Sequence, residues 1–435
     1  MRVHLIASKV TDSVVYGFLP AAARLGLDLT VLTDQPQAHE GAIAAARGRP
    51  RPGAIGAPAE IGEPAVIACD PWDIRTLIPQ LAALPGAPAD AVLTNSDHLQ
   101  TQTALAADYF GLPGKDWRAA LRAKDKVLMR RRLARSGTEN VTAIEITTGQ
   151  NGLPDNLSYP LVLKPAAGVA SEDVVLVHDQ AELTAHTAAI ARRRPGERLI
   201  AEEYLPGQLR TAEVFGDGTT TWALGGFRTD LSAPPFFVEE RLTWDPPSPE
   251  AEKHVLSALA ALGTPFGPSH AEYVQAEDAH ATEPQLIEVN DRLIGDHCDF
   301  VLSDLLDTDL FELVLRVHLG ERLPAEPPRP WGGRGHAVID YVVADQPGLL
   351  RPVPSAGPRP TAETDVRLSY RSLRTAGDHI EVTRTNRDYL GVITAVGGDA
   401  AAVERAVAAA REAESWTVDE GYLVAGSGPA AGRTR

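Results

Sequence analysis

Leu286-Ile287-Glu288-Val289-Asn290-Asp291-Arg292 alternates apolar and polar side chains, the period of a β-strand. In that period Glu288 and Asn290 share one face, Ile287 and Val289 pack behind it, and Arg292 continues the polar face. Upstream, His270-Ala271-Glu272-Tyr273 reads as the preceding strand, and the polar connection Ala276 to Pro284 reads as a loop. A hairpin of these two strands sets Glu272 beside Glu288 and Asn290, three oxygen donors with a guanidinium next to them. Two carboxylates turned to one interior repel and are costly to bury without a cation. Magnesium, which takes oxygen ligands from carboxylates, phosphates and water, resolves that cost.

Working outward, Tyr159-Pro160-Leu161-Val162-Leu163-Lys164-Pro165 is an apolar strand ending in a lysine, followed by the small-residue loop Ala166 to Ser171. Ala123 to Arg130 has helical spacing and carries Lys126. Leu199 to Leu205 is a strand passing into a turn at Pro206-Gly207. For a nucleoside triphosphate each piece has a use. Lys126 and Lys164 supply point charges to the α- and β-phosphates from two sides, and the loop amides can approach phosphate oxygens closely. The main-chain edge of Glu202, Glu203 and Leu205 can pair with adenine, with a carboxylate accepting from its exocyclic amine. Only six of the 41 basic residues are lysine, so those that remain are candidates for places that need a compact ammonium. Singly, each of these residues is an ordinary solvated charge; their joint order and spacing carry the reading.

The chain opens as alternating strand and helix. Strands are expected at Val3 to Ala7, Leu29 to Leu32, Ala65 to Asp70 and Ala91 to Thr94, and helices at Val14 to Leu25 and Asp73 to Leu84. That alternation predicts a doubly wound parallel sheet. No G-x-G-x-x-G follows the first strand, and Gly111 to Lys115 lacks the spacing of a P-loop. The expected division is 1–120 for this α/β domain and 121–325 for the nucleotide-binding region. Within the latter, a lid subdomain spans about 121–205 and a metal-bearing subdomain about 206–325. A C-terminal α+β segment follows at 326–425, then a disordered tail at 426–435. Arg47 to Pro58 reads as an exposed loop, and Leu390 to Val396 with Ala400 to Glu414 as a closing strand and helix.

With 58 acidic against 41 basic residues the net charge is −17, which opposes nucleic acid and anionic membranes. No apolar run approaches the roughly 20 residues that cross a bilayer. The start lacks a signal peptide's apolar core, and Cys69 and Cys298 cannot build a disulfide framework or zinc cluster. A cytoplasmic protein is expected.

On Lys126, Lys164 with its loop, Glu202-Glu203-Tyr204-Leu205-Pro206-Gly207, Glu272 and Glu288-x-Asn290-x-Arg292, the chain resembles the ATP-grasp enzymes. Ser96-Asp97 and Ala106 to Gly114 resemble their N-terminal domain. Arg384 to Thr394 is similar to the C-terminal segment of the carboxylate–amine ligase branch, which includes amino-acid ligases and ligases of siderophore and peptide-antibiotic (secondary metabolite) biosynthesis. The resemblance implies an ATP-grasp α/β fold, with ATP and Mg²⁺ as cofactors and Mn²⁺ able to stand in. Lys126, Lys164 and the loop to Ser171 would hold phosphates, and Glu202 with the Glu203–Leu205 backbone would hold adenine. Glu272, Glu288 and Asn290 would bind the metal, and Arg292 would stabilise the transferring phosphoryl or acyl phosphate. Many members carry a ribose-binding glutamate shortly after the hinge glycine; here that position is Leu209, leaving Glu213 as the nearest carboxylate. The phosphate loop is poorer in glycine than usual.

The implied activity is ligation of a small-molecule carboxylic acid to an amine through an acyl phosphate, releasing ADP. Arg228, His297 and the Phe236 to Glu240 stretch are expected to edge the substrate pocket. The alternatives are an ATP-grasp phosphotransferase or acyl-CoA synthetase-type enzyme, and a non-catalytic ATP-binding regulator. A homodimer is implied by the family alone.

Overall fold

The computed structural model describes residues 1–51, 60–149, 153, 156–276 and 283–419. The tail at 426–435, most of the Arg47 to Pro58 loop and most of the Ala276 to Pro284 connection lie outside the described residues. The fold is mixed α/β, built on three larger sheets and a small one.

The first sheet is parallel, in the order Ala65–Ala68, Asp28–Thr33, Arg2–Ile6, Ala91–Leu93. Its strands are short and apolar because helices cover both faces, burying Val3, Leu5 and Val31 on one side and Ile6, Leu32 and Val92 on the other. The helix expected at Asp73 to Leu84 spans Ile74–Ala83, with Asp73 as its cap accepting from the Arg75 amide. The helix expected at Val14 to Leu25 divides: Ser13–Phe18 winds as π-helical turns before α-helix resumes at Leu19–Arg24. Pro20, which has no amide to donate, stands at the join. Gly17 is needed there, since a Cβ would lie 2.5 Å from the Phe311 ring.

The second sheet is antiparallel, in the order Ala143–Thr147, Arg198–Glu203, Leu161–Pro165, Val175–Val177, backed by the helix Gln180–Arg193. The helix expected through Ala123 to Arg130 is broken at Asp125. This residue ends Trp117–Lys124 and caps Lys126–Ser136, accepting from the Leu128 amide at 3.0 Å.

The third sheet has ten strands. It runs from the hairpin Gln285–Asn290 and Phe266–Gln275 through Gln208–Asp217, Phe227–Leu231 and Glu239–Trp244. It continues without interruption into His336–Val343, Tyr389–Gly397 and Val366–Ser372. Arg241 pairs with Asp340 in register, so the sheet passes straight through the expected division at 325. The helix Ala400–Ala413 closes this end, laying Val403, Ala406 and Val407 on Val338, Ile393 and Ala395. Among the described residues no helix is long and apolar enough to cross a membrane.

Candidate active site

A cavity of about 950 Å³ opens where the three sheets meet, and both lysines of the reading line it. Lys126 stands at the first turn of its helix. Its Nζ lies 3.1 Å from the Gly168 carbonyl of the small-residue loop and 3.0 Å from Glu288 Oε2. Burial works against its charge, yet Glu288 holds its pKa above the usual lysine value. Lys164, at the end of its strand, touches the Glu202 carboxylate and lies 3.4 Å from the Ile287 carbonyl. Here burial wins and the pKa falls below the ordinary value. Ala170 and Ser171 in the loop take left-handed backbone (φ 57° and 54°), a conformation usually given to glycine.

Glu272 and Glu288 stand opposite one another across the hairpin, and His270 stands opposite Asn290. All three expected metal donors line the cavity, with Arg292 beside them. The register slips after Glu272, where Ile287 is an extra residue on its strand. That bulge corrects the simple alternation. Leu286 and Val289 go to the core, while Ile287, read as packing behind, faces the cavity together with Glu288 and Asn290. Burial and the neighbouring Glu272 push Glu239, on the adjoining wall, up to about 8. Crowded buried carboxylates of this kind fit a cation. Among the described residues no group of three or more His, Cys, Asp and Glu side chains is arranged to hold a metal. Two carboxylates and an amide suit Mg²⁺ only if phosphate oxygens and water complete its shell.

The geometry bears on two nucleotide assignments. The Glu202 carboxylate lines the cavity but is already engaged: it is clasped by Lys164 and by Arg130 Nε at 2.8 Å. Burial alone would raise its pKa, but the two cations hold it down at about 2. Glu203, Tyr204 and Leu205 line the cavity beside it, leaving the backbone edge as the adenine candidate. Glu213 does not reach the cavity to contact a ribose. Leu209 and Thr211 line it, and Glu213, next on that face, accepts from Thr211 Oγ1 and bonds His270 Nδ1, each at 2.8 Å. His270 is held at about 10 against the penalty of burial by Glu213 and Glu272, so it is a buried cation beside the carboxylates.

At the far end, His297 lines the cavity as expected of a substrate-edge residue, its Nε2 2.5 Å from Asp12. Burial lowers it to about 4. Arg228 does not line the cavity: Thr229 and Leu231 do, and strand alternation turns Arg228 to the other face, 3.4 Å from Asp230. The guanidinium found there instead is Arg371, which touches Asp12 and which burial lowers to about 10. Nothing in the sequence around Arg371 signals this. Phe237 and Glu239, from the stretch expected at the pocket edge, are present, with Tyr341 and Tyr389 stacked 4.1 Å apart nearby. Cys298 is buried against Tyr341, and burial raises its thiol far above the range of a nucleophile.

The small-residue loop is docked on the C-terminal segment. The Asn386 amide donates to the Ala170 carbonyl at 3.2 Å, and Arg387 pairs with Glu172. Asn386 Oδ1 in turn accepts from the Glu239 amide at 3.1 Å.

This arrangement of a parallel N-terminal sheet, an antiparallel four-stranded sheet and a long sheet with the cavity between them is the ATP-grasp fold. No family model matches the chain. An L-amino acid ligase from Bacillus licheniformis superimposes with a TM-score of 0.75 at 20% identity, covering 96% of this chain and 99% of that one. A phosphoribosylglycinamide synthetase from Anaerococcus prevotii gives 0.66 at 13%, covering 96% and 99%. The biotin carboxylase domain of 2-oxoglutarate carboxylase from Hydrogenobacter thermophilus, solved with MgADP and bicarbonate, gives 0.63 at 15%, covering 96% and 90%. In sequence, the uncharacterized protein y4rH of Sinorhizobium fredii (strain NBRC 101917 / NGR234) is 29% identical over 228 residues. That match spans 49% of this chain and less than half, 45%, of the curated relative.

Proposed function

We propose that this chain is an ATP- and Mg²⁺-dependent ligase that activates a small carboxylic acid as an acyl phosphate and joins it to an amine. The observation that carries the reading is the convergence of two buried lysines with Glu272, Glu288 and Asn290 on one cavity. Lys126 and Lys164 hold the phosphates from two sides, and Glu272, Glu288 and Asn290 are the residues that would hold Mg²⁺. When bound, the ion neutralises phosphate charge as the phosphoryl group moves. Arg292 is anchored through Nη1 to the Leu293 and Ile294 carbonyls, both at 2.7 Å, and presents its fork to the transferring group. Positioning and charge neutralisation supply most of the catalysis in phosphoryl transfer, and no protein nucleophile is needed. The docked loop keeps water from the acyl phosphate. His297, Arg371 and Glu239 edge the substrates.

The test is a matrix of candidate acids and amines with ATP and Mg²⁺, scored for ADP and with products weighed by mass spectrometry. ADP that forms only when acid and amine are both present, with an amide of the summed mass, supports ligation. ADP formed with a single acceptor points to phosphotransfer, and nucleotide binding without turnover on any pair points to a regulator.

A further inference from the structure

Behind Lys164 runs a line of buried charge that the proposed chemistry leaves unused. Glu202, on the strand beside that of Lys164, touches the ammonium on one side and accepts from Arg130 Nε on the other, at 2.8 Å. Arg130 stands one turn beyond Lys126 on the same helix, and its Nη1 donates to Glu139 at 3.2 Å. Glu139 takes two more bonds, 3.0 Å from His254 Nε2 and 2.9 Å from the Leu286 amide at the start of the Glu288 strand. From Lys164 to Glu139 each side chain is at most 5% exposed, and the line reaches the surface only at His254.

Charges this deep are not explained by stability. Apolar side chains of similar volume would hold the same elements together as well or better. What they could not do is fix a direction. A lysine ammonium rides on a flexible four-carbon stem, whereas a guanidinium is a planar fork that can fix two carboxylates at once. Glu202 can hold Lys164 still only if Glu202 is itself held, and Arg130 does that while Glu139 secures it from behind. The two cations and two anions balance, which keeps Glu202 ionised despite its burial.

We propose that Arg130 is a positioning residue of the nucleotide site, aiming Lys164 through Glu202 at the phosphates of a nucleoside di- or triphosphate. It does not touch the nucleotide. The proposal rests on the nucleotide reading above, and the experiment separates the two. Binding of ADP with Mg²⁺, and of adenosine, is measured by calorimetry for wild type, R130K, E202Q and the double variant.

R130K keeps a cation between the carboxylates, but one ammonium cannot bond both as the fork does. It should weaken ADP by roughly 10- to 100-fold, the range seen when an orienting partner behind a ligand is removed, and leave adenosine unchanged. E202Q should lose ADP selectively too, and R130K should add nothing in its background. Wild-type ADP affinity in R130K would overturn the relay. So would equal losses of ADP and adenosine, the mark of a merely structural role, or losses that simply add in the double variant. Should R130K not fold, E139Q loosens the fork from behind; ADP-selective weakening then supports the relay and an unchanged affinity overturns it. Wild type that binds neither ligand would overturn the nucleotide reading, and the relay with it.

Discussion

Lys126 Nζ lies 3.0 Å from Glu288 Oε2, so the helix Lys126–Ser136 and the hairpin at the edge of the long sheet hold each other at the cavity. Under the proposed function this contact would give Glu288 two tasks: presenting an oxygen to a metal and fixing a phosphate-facing cation. Glu288→Gln keeps the shape and removes the charge. ADP release should fall by at least about a hundredfold, the scale of losing one electrostatic partner of a transition state. Unchanged turnover would remove Glu288 from the metal set.

Arg387 pairs with Glu172, which Arg194 also holds at 3.1 Å. Arg387→Ala should remove this link between the loop region and the C-terminal segment while the Asn386 amide bond stays, and water should then reach the acyl phosphate. The expected result is uncoupling, with ADP formed in excess over amide product. An unchanged ratio of ADP to product would show that this pair does not seal the site.

Arg228 faces away from the cavity, so Arg228→Ala should leave the apparent KM values for both substrates unaltered. Its partly exposed pair with Asp230 should cost less than about 1 kcal/mol of stability, checked by urea unfolding. A raised KM for either substrate would return Arg228 to the pocket.

His318 is buried at the end of its helix, 2.8 Å from the Val314 carbonyl, and burial lowers it from 6.5 to about 4. The folded chain therefore refuses a proton that the unfolded chain accepts. The stability this provides is whole above 6.5 and is lost progressively as the pH falls toward 4. The loss amounts to up to about 3 kcal/mol. His318→Gln lacks this term, so its stability deficit against wild type in urea unfolding should narrow between about pH 7 and about pH 5. A constant gap would mean that His318 titrates normally in the fold.

What the sequence disclosed follows from which signals are local. Glu288-x-Asn290 obeys a two-residue period, and Glu272 lies one polar connection away, so the hairpin is legible in the sequence. The same period failed at Ile287, because a bulge depends on the partner strand's register. It failed again at Arg228, where nothing nearby fixes which face is inward. The clasp on the Glu202 side chain was not legible because its partner, Arg130, is 72 residues earlier and meets it only through tertiary packing. Glu213 was misassigned for the same reason, since His270 reaches it across a neighbouring strand. Arg371 and Asp12 meet from nearly opposite ends of the chain, and neither has a motif around it.

The long sheet that carries the hairpin at one end and the closing helix at the other is a single plate of backbone. Severing the gene near residue 326 would not release two working halves. It would strip the flank from Glu239–Trp244 and from His336–Val343 together, baring two mid-sheet ladders rather than natural margins. Separately expressed pieces should clump, and regain solubility only when made side by side in the same cell.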